Sequence, residues 1–478
     1  LQTMIVFRTA FVGGRRFLSL SSSRSSSSLA HLREVTYPIA GKKPRVLPAD
    51  QAFSDIKNGQ HIFVQGTSAT PTPLLEALHR HTKKNNLHDI KLHGILILGN
   101  SPWLEKGECN QMRSNCLFIG GNHQKAVNEG LADYVPVMLN DIPRLFYTRT
   151  IPLDVALIQV SPPDEHGYCS IGTSVDIARS ALRCCSKIIA LQNPRMPRTL
   201  GESLIHSSHI DVIVEADDNF NIYERKISPP GELEQKIGKL IADNLIDDGA
   251  TLQMGIGDIP DSVLAALSNH RDLGVHSEMF SDGVVDLVEK NVINNRLKKT
   301  FAGRLVVSFL FGSRRVYDFV HNNPLVHFGG VEWVNDPAFI RQQHKMVAIN
   351  SAIEIDLTGQ VVSDSIGSRF YSGFGGQVDF IRGSAIADDG MGKPIIAIPS
   401  INKNTGESKI SAFIKQGSGV VTTRAHVHYV VTEYGIAQLW GKSVRQRAHS
   451  LINIAHPQHR EQLDKDAFQR LKVMPSAD

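Results

Sequence analysis

The stretch His61–Lys84, "HIFVQGTSATPTPLLEALHRHTKK", decides the fold. Its first six residues are a short apolar run that closes on Gly66. Leu74, Leu75 and Leu78 then recur on one helix face, so the spacing predicts strand, loop and helix in that order. The alternation returns at "IKLHGILIL" (90–98), "LFIG" (117–120), "ADYVPV" (132–137), "VALIQVS" (155–161), "KIIALQN" (187–193) and "DVIVEAD" (211–217). Apolar strands alternating with helical patterns favour a largely parallel sheet covered on both faces, and hence an α/β fold. "SPPGE", residues 228–232, is a Pro/Gly break that reads as a linker. Beyond it the plan repeats: a helical "LEQKIGKLIADNLI", then strands at "ATLQMGIG", "LVVSFLF", "KMVAIN", "IIAIPS" and "YVVTEYG". The expected organisation is two similar α/β lobes, residues 38–227 and 233–478, with no alignable sequence repeat between them.

Length and composition agree. The 478 residues exceed one typical core and fit two domains, and 41% hydrophobic with 21% charged residues is ordinary for a globular chain. A formal charge of +4 is small for this length and speaks against a nucleic-acid-binding body. The five cysteines, at 109, 116, 169, 184 and 185, have no C-x-x-C spacing, which argues against zinc ribbons and paired redox thiols. No apolar run approaches the roughly 18 residues of a spanning helix, so no membrane segment is expected. The first 33 residues hold five arginines, many serines and no acidic residue. That composition matches a mitochondrial presequence, so residues 1–37 are set apart as a targeting segment and a matrix location is expected.

Several motifs carry chemistry. "GIGDIPDSVLAAL" (255–267) ends a strand in two glycines and opens a helix, leaving amides free for an anion or an oxyanion. Pro260 stands where a dinucleotide fingerprint needs its third glycine, and no Walker lysine pattern occurs, so neither nucleotide-binding class is supported. In "SRFYSGFGGQVDFIRG" (368–383), Gly373, Gly375 and Gly376 permit close approach of backbone to a ligand. Asp164, Glu165 and His166 in "SPPDEHGYCSIGTS" (161–174) lack metal-ligand spacing, and no metal site is expected. His426 and His428 in "HVH" would share one strand face, where packing or exposure is the simpler role. The clusters "HRHTKK" (79–84) and "RLKK" (296–299) could meet phosphates, with a solvated face the commoner role for such runs. In "GVHSEMFSDG" (274–283), Glu278 sits between an apolar run and a turn, either as a solvated loop residue or as a nucleophile at the mouth of a site.

Together "SPPDEHGYCSIGTS", "GIGDIPDSVL", "GVHSEMFSDG", "YSGFGGQVDF" and "VVTEYGIAQLWGKSVRQRA" (430–448) resemble the acetyl-CoA hydrolase/transferase family of family I CoA-transferases, near its 4-hydroxybutyrate CoA-transferase branch. The resemblance runs from about residue 40 to 460. It implies two CoA-transferase-type lobes with the active site between them and Glu278, on the C-terminal lobe, as catalytic nucleophile. It further implies oxyanion or CoA contacts at Ile256, Gly373, Gly375 and Gly376, with Asn350 and Glu433 as substrate-binding residues. A carboxylate suits that role because it can carry either an acyl group or CoA. The implied reaction moves CoA between a short-chain acyl-CoA and an acetate-, succinate- or 4-hydroxybutyrate-type acid through glutamyl anhydride and glutamyl-CoA intermediates. Coenzyme A enters as substrate, with no permanently bound cofactor, and a homodimer or higher homo-oligomer is expected. Acetyl-CoA hydrolysis by the same glutamate is the nearest alternative; a non-catalytic CoA-binding protein is a remote one.

Overall fold

The computed structural model describes residues 32–226 and 229–478. The targeting segment thus falls outside the described residues as far as residue 31, as do residue 227, the last of the expected first lobe, and residue 228, the first of the expected linker. Residues 33–37 pack onto the first lobe. Val35 is fully buried, its carbonyl accepts from His206 N–H, and Arg33 N–H donates to Arg183.

The first lobe is built on an eight-stranded, all-parallel sheet. Its spatial order is Arg45–Val46, Val212–Glu215, Lys187–Gln192, Val155–Val160, His61–Val64, Ile90–Ile95, Met112–Phe118 and Asp133–Tyr134. The opening stretch forms the strand His61–Val64, a short turn of helix at Thr67–Ala69 and the helix Thr72–Lys84, as the spacing predicts. "ADYVPV" contributes only two strand residues, at the sheet edge.

The second sheet runs Phe309–Leu310, Met279–Phe280, Thr251–Met254, Met346–Ser351, Lys393–Ala397, Tyr429–Thr432 and Gly435–Gln438, with Gly274–Val275 also paired to Thr251–Met254. It is mainly parallel, with antiparallel pairs where Met279 meets Met254 and where Tyr429–Thr432 turns back into Gly435–Gln438. "LVVSFLF" is not one strand. Leu305–Val307 leaves to pair with Val326–Phe328, and only Phe309–Leu310 joins the main sheet. The break falls at Ser308, whose N–H is taken by the Glu278 carbonyl at 2.9 Å.

Side-chain alternation explains the layers. In the first sheet Val155 and Leu157 face one cluster, with the helix residues Leu74, Leu75 and Leu78, while Ala156, Ile158 and Val160 face the opposite way. In the second, Met346 and Ala348 point outward to Phe380, Ile381 and Leu451, while Val347 and Ile349 point inward. The two inward sets belong to one core running from Val35 to Val431, so the lobes share their hydrophobic centre. Backbone bonds stitch the seam: Leu310 N–H to Thr173 at 2.8 Å, and Val175 and Asp176 N–H to Ser308 at 3.0 and 3.1 Å. Glu278 hangs from the same Ser308.

Candidate active site

Glu278 stands where the chain reverses. Gly274–Val275 runs parallel to Thr251–Met254, Met279 pairs antiparallel with Met254, and His276–Glu278 makes the turn between them. Each turn residue is held. His276 Nε2 meets the Val334 carbonyl at 2.8 Å, the Ser277 hydroxyl donates to Met254 O at 3.2 Å, and the Glu278 carbonyl accepts from Ser308 and Phe309. Burial holds the His276 ring neutral, its pKa pushed down to about 3.

The glutamate side chain enters a pocket of about 200 Å³ lined by Phe118 of the first lobe and by Gln253, Gly255, Asn350, Gly373, Gly376 and further residues of the second. The site therefore lies between the lobes. The glycine loop precedes the helix Gln377–Ala385 and is pinned by the first lobe: Leu139 N–H donates to Gly375 O at 3.1 Å, and Gln124 Nε2 to Tyr371 O at 2.7 Å. Gly375 takes φ +57°, the left-handed region that favours glycine. A Cβ on Gly373 would lie 3.0 Å from the Phe118 ring, and one on Gly376 only 1.9 Å from Glu278 Oε2. Backbone approaches the glutamate as closely as glycine allows.

Charge is concentrated here with no counter-ion among the described residues. Asn335 Nδ2 donates to Glu278 Oε2 at 3.0 Å and the Gly376 amide also favours the charged form, yet burial, aided by Asp176, raises the Glu278 pKa to about 7. Asp176 is itself raised to about 6 by burial, against the Ser174 hydroxyl and the Ile177 and Ala178 amides. Asp379 is raised well above the ordinary range by burial and by Glu278. The structure thus favours a neutral Glu278 below pH 7, whereas the unfolded chain ionises it from about pH 4.5. Its contribution is a destabilisation, absent at low pH and fully present above about 7, on the order of 3 kcal/mol. Replacing Glu278 with Gln is expected to raise the melting temperature at pH 8 and leave it near wild type at pH 4.5; a difference independent of pH in thermal unfolding would contradict this.

The structure gathers Glu278, Gly373, Gly376 and Asn350, the last donating to Gln253 Oε1 at 3.0 Å, around one pocket. Gly375 backs the pocket above Phe118. Gly255, and not Ile256, forms the wall beside Glu278; the Ile256 side chain is exposed. Glu433 sits apart, its carboxylate held by Ser400 N–H at 3.0 Å and the Ser400 hydroxyl at 2.5 Å. Asp164 serves a turn, accepting from His166 and Tyr168 N–H and pairing with Arg198, and no metal-ligand cluster occurs among the described residues. His428 is packed, stacked on Trp440 at 4.3 Å. Sequence reasoning missed Asn335, Asp379, Asp176 and Phe118. Each looks ordinary in sequence, and only the fold turns them toward the glutamate.

Comparison with known proteins identifies the family. Residues 42–222 match the acetyl-CoA hydrolase/transferase N-terminal domain and residues 312–467 the C-terminal domain of the same family. The chain is 53% identical over 440 residues to a succinyl-CoA:acetate/propanoyl-CoA:succinate CoA transferase of Fasciola hepatica, covering 92% of this chain and 91% of that one. It is 46% identical over 423 residues to the 4-hydroxybutyrate coenzyme A transferase of Clostridium kluyveri, covering 88% and 96%. A solved 4-hydroxybutyrate CoA-transferase from Porphyromonas gingivalis superposes with a TM-score of 0.76 at 38% identity, over 89% of this chain and 98% of that one. Matches to both halves, in order and on a shared fold, place the chain as a member of the acetyl-CoA hydrolase/transferase family, an enzyme of the CoA-transferase and acetyl-CoA hydrolase type.

Proposed function

We propose that the protein transfers CoA from a short-chain acyl-CoA to a carboxylic acid, with Glu278 as nucleophile. The observation that carries this reading is a carboxylate beneath the glycine loop with no counter-ion among the described residues and with Asn335 holding Oε2. A Glu278 oxygen attacks the thioester carbonyl, the C–S bond breaks, and CoA leaves as thiolate from a mixed anhydride. The thiolate then attacks the glutamyl carbonyl, releasing the first acid and leaving glutamyl-CoA. The incoming carboxylate attacks this thioester, forming a second anhydride and thiolate. Attack of that thiolate on the new acyl carbonyl gives the product and frees Glu278. No net proton is consumed.

Backbone amides around Gly375 and Gly376, with Ile256 on the facing loop, are assigned to the tetrahedral oxyanions. The small pocket suits a short acyl group. An adjoining cavity of about 550 Å³ shares Ser351 and Ser363 with it and carries Lys409 and Lys415, a fitting path for the rest of CoA. Binding energy from that remote portion can hold the thioester against the nucleophile and so raise the rate. Asn350, at the pocket, is assigned to orienting the carboxyl substrate, whereas the bond of Glu433 to Ser400 keeps its carboxylate apart from the pocket. CoA is substrate, and no resident cofactor or metal is needed. We assign residues 38–227 and 233–478 to the two lobes, the linker to 228–232, a homo-oligomeric state, and, from the acid-free, arginine-rich segment before Glu34, a mitochondrial matrix location. Among the described residues no helix is long and apolar enough to cross a membrane.

The test is acceptor dependence. Acetyl-CoA consumption is expected to require succinate or another short carboxylate, with succinyl-CoA or the matching acyl-CoA formed in equal amount. CoA release at the same rate without acceptor would replace this reading with hydrolysis. Tight CoA binding without turnover would replace it with a binding protein.

A further inference from the structure

Asp379 is 1% exposed and Asn335 fully buried, and the proposed chemistry uses neither directly. One amide nitrogen joins them to the nucleophile: Asn335 Nδ2 lies 3.0 Å from Glu278 Oε2 and 3.5 Å from Asp379 Oδ2. The first lobe reaches the same Asp379 oxygen through Asn140 N–H at 3.3 Å. Asn335 Oδ1 is buried and finds no partner among the described residues, so the contacts of the nitrogen alone fix how the amide is turned. The opposite orientation would press a carbonyl oxygen against two carboxylates. We propose that Asp379 is the positioning residue for the Glu278 nucleophile, acting through Asn335 and in the form of the neutral acid.

The proposal rests on the reading of Glu278 as nucleophile and adds how it is aimed. Asp379 faces Glu278 and Asp141, and Glu278 faces Asp176; no lysine or arginine among the described residues pairs with Glu278, Asp379 or Asp176. Two carboxylates within reach of one amide nitrogen and without a paired cation do not both ionise readily, so the pair keeps one proton. A charged Asp379 would compete with Glu278 for the single amide. A neutral one is the weaker acceptor, which agrees with the shorter bond to Glu278 and leaves the charge on the residue that must attack. Burial and the neighbouring glutamate both push Asp379 toward its protonated form. Asn140 adds a tie across the lobes, so the nucleophile's position depends on the seam being closed.

The experiment compares the rate of Glu278 labelling by acetyl-CoA, in single turnover from pH 5.5 to 8.5, in wild type, D379N, D379A and N335A. D379A and N335A are expected to label at least about 100-fold more slowly, with half-saturating acetyl-CoA changed less than about threefold. D379N, an uncharged amide in place of an uncharged acid, is expected to recover labelling to within about tenfold of wild type and to keep the acidic limb of the pH profile in place. An acidic limb displaced downward by about one pH unit in D379N would show that Asp379 is charged and overturn the neutral form. Wild-type labelling in folded D379A or N335A would overturn the positioning role. Absence of label from wild type itself would instead remove the nucleophile, a distinct failure.

Discussion

Replacing Glu278 with alanine is expected to lower kcat for acyl exchange by a factor on the order of 10⁴ or more while the protein still folds and binds acyl-CoA. The expectation follows from what the residue carries. Every covalent intermediate of the proposed cycle is bonded to its carboxyl group, through oxygen in the anhydrides and through carbon in the thioester, so the variant has no partial route, unlike the loss of one oxyanion donor, which costs about 10² to 10³. Folding should survive because the turn is held by backbone and by its neighbours: His276 to Val334, Ser277 to Met254, and the Glu278 carbonyl to Ser308 and Phe309. Removing this half-buried carboxylate also relieves its repulsion with Asp176. In wild type the same group sets the pH dependence. With the Glu278 pKa near 7, kcat/KM for acyl-CoA should fall about tenfold per pH unit below that value and level off above it. Steady-state rates of the two proteins across pH check both statements.

The second large effect is expected from Gly376→Ala. An added Cβ would stand 1.9 Å from Glu278 Oε2 and 2.4 Å from Asn335 Nδ2. Neither neighbour is a free surface side chain: Asn335 is fully buried, and Glu278 is fixed by its turn and by Asn335. The methyl therefore displaces the nucleophile, or moves the loop off Phe118 and off its bond to Leu139. A misplacement of about 1 Å costs on the order of 100-fold in kcat, and forcing a methyl into a packed site costs about 1–3 kcal/mol of stability. Gly303→Ala is a suitable control for the handling of glycine variants. A Cβ there meets nothing within 4 Å, although its positive φ brings a small backbone penalty. Its expected effect is on stability alone. Activity within a few-fold of wild type in Gly376→Ala would mean that the loop is not held as described.

What the sequence revealed and what it hid have physical causes. The parallel strands were legible because burial on both faces makes them unbroken apolar runs, as in "VALIQV", where every residue is buried. The split of "LVVSFLF" was not, since nothing local marks Ser308 as the point where the Glu278 carbonyl interrupts the ladder. Glycine patterns exposed the site because close approach demands a missing side chain, and Gly376 is the tightest of the three loop glycines. Glu433 appeared in a recognisable motif, yet its carboxylate is spent on Ser400. Asp379, at the third position of its helix, has the look of an ordinary helix-dipole carboxylate. Its meaning depends on Asn335, 44 residues earlier, and on Asn140, 239 residues earlier, a juxtaposition only the closed lobes create.

The central claim is a covalent bond between CoA and Glu278, and the most direct measurement is mass analysis of protein incubated with acetyl-CoA and trapped with borohydride or hydroxylamine, followed by peptide mapping. The account predicts modification of the peptide bearing Glu278, as the alcohol after borohydride or the hydroxamate after hydroxylamine, and none in the Glu278→Ala variant. An unmodified Glu278 in a sample that is turning over, or label at another residue with activity retained in the alanine variant, would contradict it.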